Sequence, residues 1–143
     1  MRDQSASSDR SAEETATSDD TDPDGTVLVV DDDVDLADTY ALWLRDSYEV
    51  RTAYGGDEAL DACDVSVDHV VLDRRMPAVS GETVLRQLRA RDATFQVAVV
   101  SAVRPGMEAH QLPFDAYLLK PVDRERLMGT VDRLDDRRSD GPN

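Results

Sequence analysis

Four short apolar stretches of the sequence end in side chains that could carry out chemistry together. The residues that follow them are Asp31, Asp32 and Asp33 after the first stretch, Asp73 after the second, Ser101 after the third and Lys120 after the fourth. Two carboxylates about 5 Å apart repel each other by roughly 3 kcal/mol at an effective dielectric of about 20, so such a cluster needs a cation. Oxygen ligands of this kind suit Mg²⁺. Metal and ammonium together could neutralise a phosphoryl group, and a neighbouring carboxylate could attack it to form an acyl phosphate.

The apolar stretches are typical of strands, and they alternate with segments of helical periodicity. Strands are predicted at 27–30, 48–53, 70–73, 97–101 and 116–120, the second being more polar and expected at an edge. Helices are predicted at 34–46, 55–63, 80–91 and 123–138. This α/β alternation predicts a five-stranded parallel sheet with helices on both faces. The polar residues at the strand ends would then meet at one edge of the sheet.

Composition divides the chain into three parts and limits its class. A disordered acidic tail is predicted at residues 1–25 and one domain at residues 26–138. Residues 139–143 are predicted to be a polar end. No apolar run reaches the roughly 18 residues of a membrane span and no signal peptide is evident, so we expect a cytoplasmic protein without membrane contact. The single cysteine, Cys63, is expected to be a buried thiol.

The charge of the chain is strongly negative, with 31 acidic and 16 basic residues and a net charge of −15. This balance argues against direct binding to nucleic acid, because phosphate backbones require basic side chains. A dense acidic surface is also typical of proteins that work at high salt. Lys120 is the only lysine of the chain, which suggests that it does chemistry that arginine cannot.

Four strings of residues resemble the receiver domain of two-component response regulators. They are V-L-V-V-D-D-D at 27–33, V-L-D-R-R-M-P-A-V-S-G at 71–81, V-V-S-A at 99–102 and Y-L-L-K-P at 117–121. The resemblance covers about residues 26–135, and the L-D-R-R-M-P string is similar to receivers of halophilic archaea. It implies a flavodoxin-like (βα)5 three-layer sandwich with the strand order 2-1-3-4-5.

The resemblance also implies a role for each matching residue. Asp73 would accept a phosphoryl group from a phosphohistidine of a sensor histidine kinase or a phosphotransfer protein. The catalytic set would be Asp73, Lys120 and Ser101, and the ligands of Mg²⁺ would be Asp31, Asp32, Asp73 and the backbone carbonyl of Arg75. Ser101 and Tyr117 would form the switch, Pro121 would follow a cis peptide bond, and Gly81 would allow the turn beyond the acceptor loop.

Several of these residues have simpler interpretations. Asp31 and Asp32 could merely cap the following helix, and Asp33 is expected to be a cap or a solvated acid rather than a ligand. Tyr117 could be only a core residue. Further residues are expected to have structural roles or none: His69 and His110 at the surface, Arg74 and Arg75 either solvated or not, and Trp43 in helix packing.

Departures from the family pattern affect the output of the domain. Serine stands at 101 where threonine is commoner, and the stretch up to Lys120 is about one helical turn shorter than usual. This stretch contains Pro105 and Pro113, which predicts a short or frayed fourth helix. Arg75 and Val103 are hypothesised to limit access of the hydrolytic water.

The preferred function is therefore a stand-alone receiver that signals to a downstream protein effector, since no output domain follows the last helix. It is not expected to be an enzyme beyond catalysing its own phosphorylation and dephosphorylation. One alternative is a pseudo-receiver that acts as an interaction module without phosphorylation. A phosphohydrolase of the haloacid-dehalogenase type is disfavoured, because Asp35 stands where that family places threonine or valine.

Overall fold

The polypeptide forms a five-stranded sheet with helices on both faces. The structure is a computed structural model, and it describes residues 25–64, 66–76, 80–91, 94–106 and 113–140. The strands are β1 (Thr26–Val30), β2 (Glu49–Ala53), β3 (His69–Asp73), β4 (Gln96–Ser101) and β5 (Ala116–Leu119). The helices in the described ranges are α1 (Val34–Leu44), α2 (Gly56–Ala62), α3 (Gly81–Arg91) and α4 (Arg124–Asp140).

The strands pair in parallel in the order β2-β1-β3-β4-β5, as predicted. The polar strand β2 lies at the edge, also as predicted. The structure describes four helices. Residues 107–112, part of the stretch between Ser101 and Lys120 where the sequence predicts a short or frayed fourth helix, lie outside the described residues. The acidic tail, apart from Gly25, and residues 141–143 lie outside them as well. None of the helices in the described ranges combines the length and apolar character that a membrane span requires.

Two apolar layers hold the helices to the sheet. Side chains alternate between the two faces along a strand, so Leu28 of β1 contributes to one layer and Val29 to the other. The first layer includes Leu85 of α3, and the second includes Tyr40 of α1 together with Leu127 of α4. Because β1 and β3 are covered on both faces, no residue of 27–30 or 69–73 is more than 5% exposed. The central strands are therefore a rigid base for whatever their ends carry.

The prediction that His69 is a surface histidine is wrong. It is the first residue of β3 and is 1% exposed. Its Nε2 lies 3.0 Å from Oδ1 of Asp135 on α4, and the ring of Tyr48 meets it edge-on at 6.1 Å. The sequence pattern started this strand one residue later, and the long last helix covers the added position. His110 lies outside the described residues.

Two smaller predictions are confirmed. Cys63 is a buried cysteine directly after α2. Trp43 is partly buried, packs against the second layer and contacts Tyr40 with a centroid distance of 5.8 Å. Both side chains are therefore explained by helix packing.

Candidate functional site

The three aspartates after β1 occupy different environments. Asp31 continues the sheet, since its N–H donates to the carbonyl of Ala53 at 3.1 Å, and it is 2% exposed. Asp32 is exposed. Asp33 is the N-cap of α1, where its carboxylate accepts from the N–H of Leu36 at 3.2 Å. The cap predicted at Asp33 is thus confirmed, and neither Asp31 nor Asp32 is the N-cap residue.

Asp73 ends β3 and is 5% exposed. The bonds to its Oδ1 are long: 3.4 Å from the N–H of Arg75 and 3.4 Å from Nζ of Lys120. The same ammonium lies 3.6 Å from Oδ2 of Asp31. The peptide bond between Lys120 and Pro121 is cis, as the resemblance implied. One lysine from the end of β5 therefore faces carboxylates from the ends of β1 and β3.

The carboxylates form a cluster that is short of positive charge. Oxygens of Asp31, Asp32 and Asp73 all lie within 4.8 Å of one another. Oδ2 of Asp31 is buried and accepts no hydrogen bond from the residues that the structure describes. Burial, and then the charge of Asp31, raise the pKa of Asp73 to about 6, although Lys120 and the N–H of Arg75 lower it in part. Uncompensated buried carboxylates of this kind are stabilised by a further cation.

The chemistry of these donors fits a hard divalent ion. Three carboxylates supply only oxygen atoms, and the exposure of Asp32 leaves room for bound waters, which is the environment Mg²⁺ prefers. The orphaned oxygen of Asp31 is a buried acceptor that such an ion would satisfy. The structure thus brings together the three side chains that the sequence predicts as metal ligands, Asp31, Asp32 and Asp73.

Ser101 lies at the end of β4 and is 1% exposed. Its Oγ accepts from the N–H of Val103 at 3.1 Å, and its carbonyl accepts from the N–H of Lys120 at 2.8 Å. Beside these residues a groove of about 370 Å³ opens to solvent, lined by Leu36, Tyr40, Ala102, Lys120, Pro121 and Val122. The lysine is therefore reachable from outside.

Arg74 is a residue whose place the sequence interpretation missed. The sequence did not indicate which of the two arginines after Asp73 is solvated. Arg75 is exposed, but Arg74 is only 4% exposed. Its Nε donates to Glu82 at 2.8 Å and its Nη1 to the hydroxyl of Tyr117 at 2.9 Å. The bond to Tyr117, and then that to Glu82, raise the pKa of the guanidinium. A signal was present in the alternation of β3, which directs the residue after Asp73 toward α3.

Gly81 lies against the end of β3. A Cβ at this position would be 2.2 Å from the carbonyl oxygen of Asp73 and 2.7 Å from Cα of Arg74. The N–H of Gly81 donates to the carbonyl of Arg74 at 2.8 Å. The physical requirement for glycine is therefore close backbone approach at the start of α3, whereas the sequence interpretation expected the freedom of a turn.

Comparison with known proteins connects this geometry to a family. The family model "Response regulator receiver domain" matches residues 27–132. A Haloferax volcanii protein named "Putative transcriptional regulator" is 51% identical over 109 residues, which are 76% of this chain and 19% of that protein. "Transcriptional regulatory protein PrrA" of Mycobacterium leprae is 40% identical over 117 residues, covering 78% of this chain and 50% of that protein. The chain thus spans at most about half the length of these two relatives.

Solved structures show the same fold. A response regulator receiver domain (CheY-like) from Methylobacillus flagellatus has a TM-score of 0.70 at 30% identity, covering 77% of this chain and 98% of that one. Another from Methanospirillum hungatei has a TM-score of 0.73 at 23% identity, over 82% and 98% of the two chains. The flavodoxin-like order of the strands agrees with these similarities. The chain belongs to the family of response regulator receiver domains of two-component signalling.

Proposed function

We propose that this receiver accepts a phosphoryl group on Asp73 from a phosphohistidine of a sensor histidine kinase or a phosphotransfer protein. The observation that carries the proposal is the position of the Asp73 carboxylate, 3.4 Å from the ammonium of Lys120 and within the cluster of three acids. Its hydrogen bonds are long and therefore weak, so they reduce the nucleophilicity of the carboxylate only slightly. A buried carboxylate beside positive charge is suited to nucleophilic attack on phosphorus.

The transfer exchanges one bond to phosphorus for another. An oxygen of Asp73 attacks the phosphorus, a P–O bond forms, and the P–N bond to the donor imidazole breaks with its electron pair left on nitrogen. Lys120 donates to a phosphoryl oxygen, and the hydroxyl of Ser101 donates to a second one. Mg²⁺ held by Asp31, Asp32, Asp73 and the carbonyl of Arg75 would neutralise charge on the phosphoryl oxygens. In discharge, water attacks phosphorus, the P–O bond to Asp73 breaks, and inorganic phosphate leaves.

We propose a protein as the direct downstream partner of the receiver. The net charge of −15 disfavours contact of this domain with nucleic acid. Regulation of transcription, the function in the names of the relatives, would then be exerted through protein contacts that Ser101 and Tyr117 switch. The half-buried Tyr117 on β5 supports this role, because its hydroxyl donates to the carbonyl of Val103, two residues beyond Ser101.

Phosphorylation with a small donor tests the proposal. The full chain is incubated with acetyl phosphate and Mg²⁺ in high salt, and the intact mass is measured. We expect wild type to gain one phosphoryl group and Asp73→Asn to gain none. Asp33→Asn is the matched control, because asparagine caps helices as well as aspartate does, and it should be modified like wild type. A wild-type chain that stays unmodified would favour the pseudo-receiver, an interaction module independent of phosphorylation.

A further inference from the structure

Arg74 is a buried cation whose hydrogen bonds reach beyond its ion pair. A buried guanidinium requires compensation, and Glu82 at 2.8 Å supplies an opposite charge. A second N–H is directed instead to the hydroxyl of Tyr117 at 2.9 Å, and the guanidinium carbon lies 5.9 Å from the centre of that ring. Arg74, the residue next to the proposed phosphoacceptor, is thus connected to β5 through Tyr117.

The contacts of Arg74 continue to Ser101. The hydroxyl of Tyr117 accepts from Arg74 and donates to the carbonyl of Val103 at 2.6 Å, so both of its hydrogen-bonding functions are used. The N–H of Val103 donates to Oγ of Ser101 at 3.1 Å. The backbone N–H of Arg74 donates to the carbonyl of Val100, the residue before Ser101. These hydrogen bonds, together with the peptide bond between Val100 and Ser101, connect four residues beside Asp73. We call them the Arg74 network: Arg74, Tyr117, Val103 and Ser101.

We propose that Arg74 is a positioning residue that holds Tyr117 and Val103 so that the hydroxyl of Ser101 is ready for the phosphoryl group. Because Oγ of Ser101 accepts from Val103, its own hydrogen remains the group that can donate to a phosphoryl oxygen. Loss of the Arg74 bond frees the Tyr117 ring, and the loop at Val103 then loses one of its anchors. The proposal rests on the proposed function, since it concerns the readiness of the same site.

A structural ion pair would explain the burial of Arg74 but not the use of its second N–H. Arg74 lines a small space together with the apolar residues Leu72, Leu85 and Val99, and a methionine is of similar length and suited to apolar surroundings. Apolar replacement of a buried ion is often neutral for stability, and Glu82, with 38% of its side chain exposed, could return to water. Arg74→Met should therefore fold and remove the network specifically.

The test is the affinity of the full chain for beryllium trifluoride in the presence of Mg²⁺, measured by calorimetry. We expect Arg74→Met and Tyr117→Phe each to weaken binding at least about five-fold, the lower end of usual coupling between linked sites. The double variant should bind no more weakly than Tyr117→Phe alone, because both changes break the same connection. Arg86→Met, an exposed arginine of α3, is the matched control and should bind like wild type.

Three outcomes would overturn the inference. One is equal or tighter binding by a folded Arg74→Met, and another is additive losses in the double variant. The third is a wild-type chain that does not bind beryllium trifluoride at all, which would remove the proposed function together with the inference. Arg74→Lys gives a second test if the methionine variant does not fold. It keeps the charge but lacks the planar fork that reaches both Glu82 and Tyr117, so it should also bind more weakly than wild type.

Discussion

Nζ of Lys120 lies 3.4 Å from Oδ1 of Asp73, although 47 positions separate the two residues in the chain. The pairing follows from the sheet, because Asp73 ends β3, Lys120 follows β5, and β4 lies between them. The lysine is 24% exposed in its side chain, whereas the aspartate is 5% exposed. A cation that reaches a buried carboxylate from a wet edge can also reach a group added to that carboxylate.

Lys120→Met should slow phosphorylation of Asp73. The substitution keeps the length of the side chain but removes the ammonium that we propose neutralises phosphoryl charge. Loss of one such preorganised donor reduces the rate by about a hundred- to a thousand-fold in enzymes, so we expect a loss of at least about ten-fold here. The measurement is the initial rate of acyl phosphate formation with acetyl phosphate and Mg²⁺, followed by intact mass. A rate unchanged from wild type would show that Lys120 does not contact the transferred group.

Asp73→Asn should stabilise the fold when divalent ions are absent. Burial, and then the charge of Asp31, raise the pKa of Asp73 to about 6, whereas an aspartate in an unfolded chain titrates near about 3.9. The folded chain therefore binds more protons than the unfolded chain between these values. The contribution of Asp73 to the free energy of unfolding is therefore fully present below about pH 4, and it is lost as the pH rises through about 6.

The gain at pH 7.5 should be on the order of 1–3 kcal/mol, the free energy that corresponds to the raised pKa of this buried carboxylate. Urea unfolding in EDTA at pH 5.0 and 7.5 measures it, and added Mg²⁺ should stabilise wild type more than Asp73→Asn. Asp33→Asn removes the same charge from an exposed residue and should change stability little. Equal stabilisation by both variants would mean that total charge, and not burial of Asp73, is the cause.

The strand-end residues were predictable because their placement depends only on parallel topology. Apolar runs locate the strands, and once the strands are parallel Asp31, Asp73 and Ser101 must share an edge. The cap at Asp33 was predictable for a similar local reason, its position one residue before the apolar periodicity of α1. These inferences need no knowledge of which helix covers which face.

The burial of His69 and Arg74 was not predictable from the same local patterns. His69 is the first residue of β3, but the sequence pattern started that strand at residue 70. Arg74 follows the last residue of β3, and the sequence interpretation did not distinguish it from Arg75. What buries them is α4 above His69 and the contacts of Glu82 and Tyr117 around Arg74. The alternation of β3 indicates the face on which Arg74 lies, but it does not encode the long-range packing that buries Arg74 and His69.

Gly81→Ala should destabilise the fold by at least about 2 kcal/mol, because the added Cβ would meet backbone atoms of Asp73 and Arg74 that cannot rotate away. The matched control is Gly129→Ala in α4, where a Cβ would meet only the end of Arg133 at 3.8 Å. That change should be neutral or stabilising by about 0.5–1 kcal/mol, since alanine favours helix. Urea unfolding of both variants measures the difference. A mild effect at Gly81 would indicate that α3 can move away from Asp73.

Replacement of Arg75 and Val103 by small polar residues should shorten the lifetime of the acyl phosphate. Arg75 is exposed beside Asp73, and its N–H reaches the carboxylate. Val103 is 41% exposed, and its N–H reaches Ser101. Both residues are therefore exposed and contact the site through their backbone, next to where water must enter to attack phosphorus. Backbone contacts survive in Arg75→Asn and Val103→Ser, so the change is confined to access.

The lifetime is measured by loss of the phosphoryl mass after removal of acetyl phosphate, with Mg²⁺ kept constant. We expect the double variant to lose it several-fold faster than wild type, which corresponds to a barrier lower by about 1 kcal/mol. Arg86→Met serves again as an exposed arginine away from these contacts. An unchanged lifetime in a variant that is phosphorylated normally would reject the shielding role and leave the arginine and the valine as surface residues.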